Sequence, residues 1–175
     1  MVAVTDEADR RSEPGVLAFE AFYRREYAGA VRLAFTLTGR RDLAEELAQD
    51  TFLACLRHWD QVSGYDDPTR WVRRVLTNRC ISSGRRHITE LRLLVKLRRE
   101  RPRSPSLSEP SDRLWDAVRH LPKRQAQVLA LAFVEDLDVR QIAATLGVGE
   151  ESVRTHLRRG RAAIAARLEE ERDNG

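Results

Sequence analysis

A chain of 175 residues, 42% hydrophobic and 33% charged, is large enough for two small helical domains, but it has no apolar run near the roughly 20 residues that a membrane-spanning helix needs. Direct membrane insertion is therefore not expected. The opening stretch "MVAVTDEADRRSEPG" is polar and carries acids, unlike the basic flank and apolar core of a secretory signal, so the cytoplasm is the expected compartment. Cys55 and Cys80 are too few and too far apart for a disulfide framework or a Cys-rich zinc site, and they read as buried thiols.

The net charge of +4 conceals three blocks. Residues 42–60 hold five acids against Arg57, residues 70–103 hold twelve Lys or Arg against two Glu, and residues 154–167 hold five Arg and no acid. Basic segments of that density suit phosphate, and an acidic segment ahead of them suits a basic protein partner.

Taken in chain order, the pattern is all-α. A tail over residues 1–15 is expected to be disordered. Phe19, Phe22, Tyr23, Tyr27, Ala30, Val31, Ala34 and Phe35 then recur at steps of three and four, the mark of an amphipathic helix. Asp42 with Glu45 reads as a cap and box for a second helix, whose apolar stripe runs through Leu43, Leu47, Ala48, Thr51, Phe52, Cys55, Leu56 and Trp59. After the turn formers of "QVSGYDDP", Asp67 as cap and Pro68 at the first helical position open a third helix. It places Trp71, Val72, Val75, Leu76 and Cys80 inward and Arg70, Arg73, Arg74, Thr77 and Arg85 outward. These helices define a first domain over 16–86. Residues 87–111, with the Pro- and Ser-rich "RPRSPSLSEPSD" at their end, read as a flexible linker.

A second domain, 112–168, is expected to open on a cap at Ser111 or Asp112, with Leu114, Trp115, Val118 and Leu121 on one face. Pro122 separates this helix from the next, whose apolar residues are Val128, Leu129, Leu131, Ala132 and Phe133. Asp138 then caps a short helix that Gly147 ends in the left-handed conformation. A last helix from about Glu150 turns Val153, Leu157, Ile164 and Leu168 inward, and residues 169–175 form an acidic tail. Ala143, Gly147 and Val153 stand at offsets that fix a helix-turn-helix, with a small contact residue, a turn glycine and an apolar anchor. Arg154, Thr155, Arg158 and Arg159 lie on the face opposite the anchor, where they can bond phosphates and base edges.

These residues carry a family resemblance. "DLAEELAQDTFLACLRHWD", "RWVRRVLTNRCISSGRR" and "LPKRQAQVLALAFVEDLDVRQIAATLGVGEESVRTHLRRGRAAI" resemble, in order, three functional segments of sigma factors of the extracytoplasmic-function (ECF) group. The resemblance covers residues 16–168 and implies a region 2 domain, a linker and a region 4 domain. It further implies that core RNA polymerase is gripped by Asp42, Glu45, Glu46, Gln49 and Asp50. The minus-10 promoter element would be bound and melted by Arg70, Arg73, Arg74, Thr77, Asn78, Arg85 and Arg86, with Asn78 helping to form the pocket for an extruded base. The minus-35 element would be read by Glu151, Ser152, Arg154, Thr155, Arg158 and Arg159. Promoter DNA, core polymerase and an anti-sigma factor are the implied partners.

Two departures stand out. Where the family has Asn-x-x-x-Asp-x-x-Arg, this chain has Asn78, Ser82 and Arg85, and Gly149 replaces the usual serine cap of the last helix. Trp71 could be a stacking platform, but its place in the apolar stripe favours the core. No enzyme is expected, and neither a cofactor nor a metal. His58, His87, His120 and His156 lack metal-ligand spacing, and no phosphate loop or nucleophile elbow is present; His156, within the last helix, is a candidate phosphate or base contact. A stand-alone DNA-binding regulator would need only the helix-turn-helix, and a protein adaptor would not need the outward arginines of the last helix.

Overall fold

The structure, a computed structural model, describes residues 5–97 and 110–173, with side chains over 15–83 and 113–173. Its elements are all helices: α1 (Thr5–Thr38), α2 (Arg41–Arg57), α3 (Trp59–Val62), α4 (Pro68–Leu97), α5 (Pro110–Arg119), α6 (Lys123–Phe133), α7 (Val139–Leu146) and α8 (Glu150–Asp173). In the first half, α1 packs on both α2 and α4, and α2 packs on α4. In the second, α8 is the common support of α5, α6 and α7.

Each half buries one apolar stripe per helix. Phe22, Leu33 and Leu37 of α1 meet Ala44, Ala48, Phe52 and Cys55 of α2 and Val72, Leu76 and Cys80 of α4. The end of this core is aromatic: Trp59 stands edge-on to Phe19 at 5.3 Å and tilted to Phe22 at 5.1 Å, while Tyr23 meets Phe52 edge-on at 5.1 Å. Such geometries add to what the buried ring area supplies. Both cysteines are buried; burial pushes the Cys55 thiol up to about 11 and the Cys80 thiol up to about 12. In the second half, Val128, Leu129, Leu131, Ile142, Leu146, Val153 and Ile164 close the core.

The punctuation read from sequence is present at Asp67, whose Oδ1 accepts from the Arg70 amide at 3.1 Å. It is present again at Asp138, where a full capping box with Gln141 forms, and at Gly147, with φ of 66°. Elsewhere the boundaries move. The second helix starts at Arg41, without a side-chain cap, so Asp42 lies in its first turn; there an acid favours the helix dipole without capping it. α1 already begins at Thr5, inside the span expected as a disordered tail. α4 continues to Leu97, past residue 86, because Leu91, Leu94 and Val95 prolong the helical spacing. α5 begins at Pro110, ahead of the expected caps, since proline fits a first helical turn. α8 carries through the acidic stretch to Asp173, where Glu171 pairs with Arg167 one turn back at 3.4 Å. Residues 98–109, which hold most of the Pro- and Ser-rich segment, lie outside the described residues.

Four side chains assigned to apolar faces turn outward. Leu56 and Leu114 are exposed, and Phe133 is 58% exposed beneath the Arg161 guanidinium, 5.3 Å from its ring centre. Phe35 is exposed as well. The two halves also touch: α1 meets α5 and α6, and α4 meets α6 and α7.

Candidate polymerase and nucleic-acid interfaces

The acids of α2 are largely paired within the chain. Asp42 binds Arg40 at 2.6 Å, Glu45 binds Arg41 at 2.9 Å, and Asp50 stands 3.6 Å from Arg79 of α4. The hydrogen bond from Arg40, aided by the Leu43 amide, holds the Asp42 carboxyl below its usual range. Glu46 and Gln49 are exposed between these pairs. Beside them lies an apolar feature that the sequence reading did not isolate: Leu53 and Leu56 are 51% and 42% exposed. With Phe19, Tyr23, Gln49 and Phe52 they line a groove of about 300 Å³. The sequence signal was there in the width of the stripe, since Leu53 and Leu56 fall at its edge rather than along its centre.

On α4 the expected DNA-facing residues divide. Arg70 is exposed, 3.7 Å from Asp67. Trp71 packs against the core with one side facing an open cleft of about 420 Å³, lined also by Tyr65, Arg70, Arg74 and Thr145. Thr77, read as outward, is fully buried, and its hydroxyl donates to the Arg73 carbonyl at 2.8 Å. Arg73 Nε donates to Glu135 at 2.7 Å, and Asn78 Oδ1 accepts from Gln127 Nε2 at 2.9 Å. Where an acid would be usual, Ser82 Oγ donates to the Asn78 carbonyl at 2.8 Å. Arg85 and Arg86 lie on α4, and their side chains fall outside the described residues.

On α8, Val153 is buried against the rest of the helix-turn-helix, with Ala143 on α7 also buried and Gly147 at the turn. Arg154, Arg158 and Arg159 are exposed, Ser152 and Thr155 half-buried and Glu151 exposed, all on the first turns of the helix. Arg154 is held by Glu150 at 2.8 Å and Glu151 at 3.5 Å. His156 is half-buried, and its Nδ1 has no hydrogen-bond partner. Farther along α8, Gly160 lets the helix cross α6 closely, because a Cβ there would come within 2.8 Å of Leu129 Cδ1.

An acidic and leucine-bearing helix, a basic helix behind it and a helix-turn-helix in a second bundle are the layout of a protein of the sigma class. The family model for Sigma-70 region 2 matches residues 22–88, and that for Sigma-70 region 4 matches residues 111–164. The chain belongs to the sigma-70 family.

Among curated proteins it is similar to the ECF RNA polymerase sigma factor SigE of Mycolicibacterium smegmatis, 31% identical over 160 residues, which are 78% of this chain and 56% of that protein. It is also 31% identical over 146 residues to an uncharacterized protein of Rhizobium meliloti, covering 71% of this chain and 33% of that one. The chain thus spans between a third and somewhat more than half of the length of these relatives. Among solved structures, its fold is similar to the sigma factor RpoE in complex with the anti-sigma factor NepR from Bartonella quintana, with a TM-score of 0.66 at 19% identity, over 87% of this chain and 97% of that one. It is similar also to CnrH in complex with the cytosolic domain of CnrY, with a TM-score of 0.61 at 22% identity, over 87% and 88% of the two chains. Among the described residues, no helix is long and apolar enough to cross a membrane.

Proposed function

We propose that this chain is an ECF-group sigma factor that binds core RNA polymerase, recognises minus-35 and minus-10 promoter elements and promotes DNA melting. The observation that carries the reading is the order of three surfaces on one chain matching both sigma regions. They are the α2 face with Glu46, Gln49, Leu53 and Leu56, the basic α4 face, and the arginines of α8 behind a helix-turn-helix.

The α2 face offers carboxylates for basic groups and an apolar strip for side chains of the polymerase, a combination that gives both orientation and affinity. Asp42, Glu45 and Asp50 would exchange their internal partners for those of the polymerase. On α4, Arg70, Arg73, Arg74, Arg85 and Arg86 hold phosphates while Asn78 receives an extruded base, with the Tyr65 and Trp71 cleft, about two turns back on the helix, as a surface for stacking. Thr77 serves the helix rather than the DNA, because its hydroxyl is committed to the backbone. On α8, Glu151, Ser152, Arg154, Thr155, Arg158 and Arg159 enter the major groove at the minus-35 element.

In this reading residues 16–86 and 112–168 are the two working domains, joined by the linker. The protein acts in the cytoplasm, by binding and not by catalysis. An anti-sigma factor is proposed as its regulator, a reading supported by the fold shared with a sigma factor solved in such a complex.

Co-purification with core polymerase, followed by runoff transcription from a randomised promoter library, tests the proposal. Core-dependent transcripts from a common pair of elements are expected. Tight DNA binding without core polymerase, and no transcription with it, would point to a stand-alone regulator instead.

A further inference from the structure

Asn78 and Arg73 of α4 are held by polar side chains of the second domain. Gln127 is the one polar side chain in the buried run of α6, 0% exposed among Ala126, Val128, Leu129, Ala130 and Leu131. A buried amide needs partners, and this one donates across the domain boundary and accepts within its own helix. Its Nε2 donates to Asn78 Oδ1 at 2.9 Å, while Arg124 Nη1 donates to its Oε1 at 3.1 Å. One α-helical turn back on α4, the Glu135 carboxylate receives Arg73 Nε at 2.7 Å, with both side chains mostly buried. Next to Arg73 in the chain, the Arg74 guanidinium lies against Gly147, within 3.5 Å of where a Cβ would stand. That glycine is the turn of the helix-turn-helix.

We propose that the second domain carries a built-in mimic of minus-10 DNA. The Gln127 amide takes the place of a base's exocyclic amino group on Asn78, and the Glu135 carboxylate takes the place of a backbone phosphate on Arg73. The chemistry matches group for group. An adenine or cytosine amino group donates N–H as the amide does, and a carboxylate offers a guanidinium the anionic oxygens that a phosphate offers. Both mimics sit on α6 or just after it, so one movement of the second domain uncovers base site and phosphate site together. In the free chain the mimic and a DNA strand compete for the same atoms. Strand affinity is then reduced by the fraction of molecules that are closed. Binding of core polymerase that separates the two domains removes the competitor. The inference rests on the reading that α4 binds the minus-10 strand.

The test uses the full chain, free and in holoenzyme, with a fluorescein-labelled single strand carrying the minus-10 sequence selected by runoff transcription. Glu135→Gln keeps shape and removes the charge, and Gln127→Met keeps the volume and leaves Asn78 Oδ1 without its donor. Dyes on cysteines introduced at the exposed Gln61 and Glu169 report the separation of the domains. Each variant is expected to open the free chain, and the pair to raise its affinity for the strand by roughly tenfold, with promoter affinity of the holoenzyme unchanged. Glu135→Gln leaves both apolar cores intact, so it keeps the test valid if Gln127→Met fails to fold. A free chain that stays closed, or opens without binding the strand better, overturns the mimic. Asn78→Ala in the holoenzyme separates the two layers. If it leaves minus-10 preference unaltered, the reading of α4 itself fails; if it alters preference while Glu135→Gln changes nothing in the free chain, the mimic alone fails.

Discussion

Arg119, at the end of α5, donates from Nη1 to the carbonyl oxygen of Thr36, 3.2 Å away in the last turn of α1. A cation from the second half thereby satisfies a carbonyl that the end of a helix leaves without an intrahelical donor, where the helix dipole also favours positive charge. The same guanidinium lies over Gly39, whose φ is 68° and whose Cβ, if it had one, would meet Arg119 Cζ at 3.0 Å.

Gly39→Ala is therefore expected to lower stability, through two additive causes. The left-handed conformation costs a side chain ~1–2 kcal/mol, and the new methyl displaces Arg119 from Thr36. A lowered melting temperature, with Arg119→Ala producing only the smaller part of the loss, is the expected result by calorimetry. A melting temperature equal to that of the parent would show that the turn relaxes at no cost.

How much of this was legible from the residues alone depends on which partner each side chain meets. Stripes such as Phe22, Phe52 and Val72, and punctuation such as Asp67, Asp138 and Gly147, act within one helix or between sequence neighbours, so periodicity and turn chemistry expose them. Gln127, Glu135 and Arg119 act across the boundary between the halves. Nothing local marks a glutamine in an apolar run as the partner of an asparagine on another domain. Thr77 was misread for a related reason: its polarity suggested an outward face, whereas its hydroxyl returns to the backbone of its own helix, as threonine readily does. The helix-turn-helix was readable because its three fixed offsets lie close together in the chain.

Polymerase binding should depend on the uncommitted part of α2. Glu46→Lys reverses an exposed charge near Arg40, while Leu53→Ala removes part of the groove wall, and neither replaces a member of the pairs made by Asp42, Glu45 and Asp50. Each is expected to weaken capture of core polymerase about tenfold, in line with the loss of a single interface anchor, and to leave the far-ultraviolet circular dichroism as it was. Asp50→Lys should do more harm, because it also sets a lysine against Arg79. Unchanged capture by both Glu46→Lys and Leu53→Ala would remove this face from the polymerase interface.

The two thiols supply a pH-dependent prediction. Burial raises Cys55 from 9.0 to about 11 and Cys80 from 9.0 to about 12, so the folded chain keeps protons that the unfolded chain releases. Stability from this source is fully present below pH 9 and is lost as the pH rises toward 12. At pH 8 both thiols should therefore resist Ellman's reagent in the folded protein and react at once in denaturant. Prompt labelling of two thiols in the folded chain at pH 8 would mean that the first-domain core is open to solvent on that timescale.

The recognition helix offers the most discriminating measurement, because its arginines differ in how they are held. Arg154 is braced by Glu150 and Glu151 on the first turn of α8, which orients the guanidinium and reduces the freedom lost on binding. In the proposed reading the first turn of α8 enters the groove most deeply, which would set Arg154 at a base edge and Arg159, more than a turn later, at the phosphates along the rim. A bidentate contact to guanine is worth about 1–3 kcal/mol of discrimination, while a phosphate contact weakens all sequences alike and lowers the salt dependence by about one counterion. Arg154→Ala in the holoenzyme should thus relax preference at one minus-35 position. Arg159→Ala should lower affinity evenly and flatten the salt slope, with Arg158 falling on either side. Glu150→Ala separates bracing from electrostatics: it should reduce discrimination at the Arg154 position while slightly raising affinity for any DNA, since it removes an acid from beside the groove. Binding to a panel of single-base variants at two salt concentrations reads all three. Preference that survives Arg154→Ala intact would move base reading to Thr155 or Arg158 and leave Arg154 a phosphate contact.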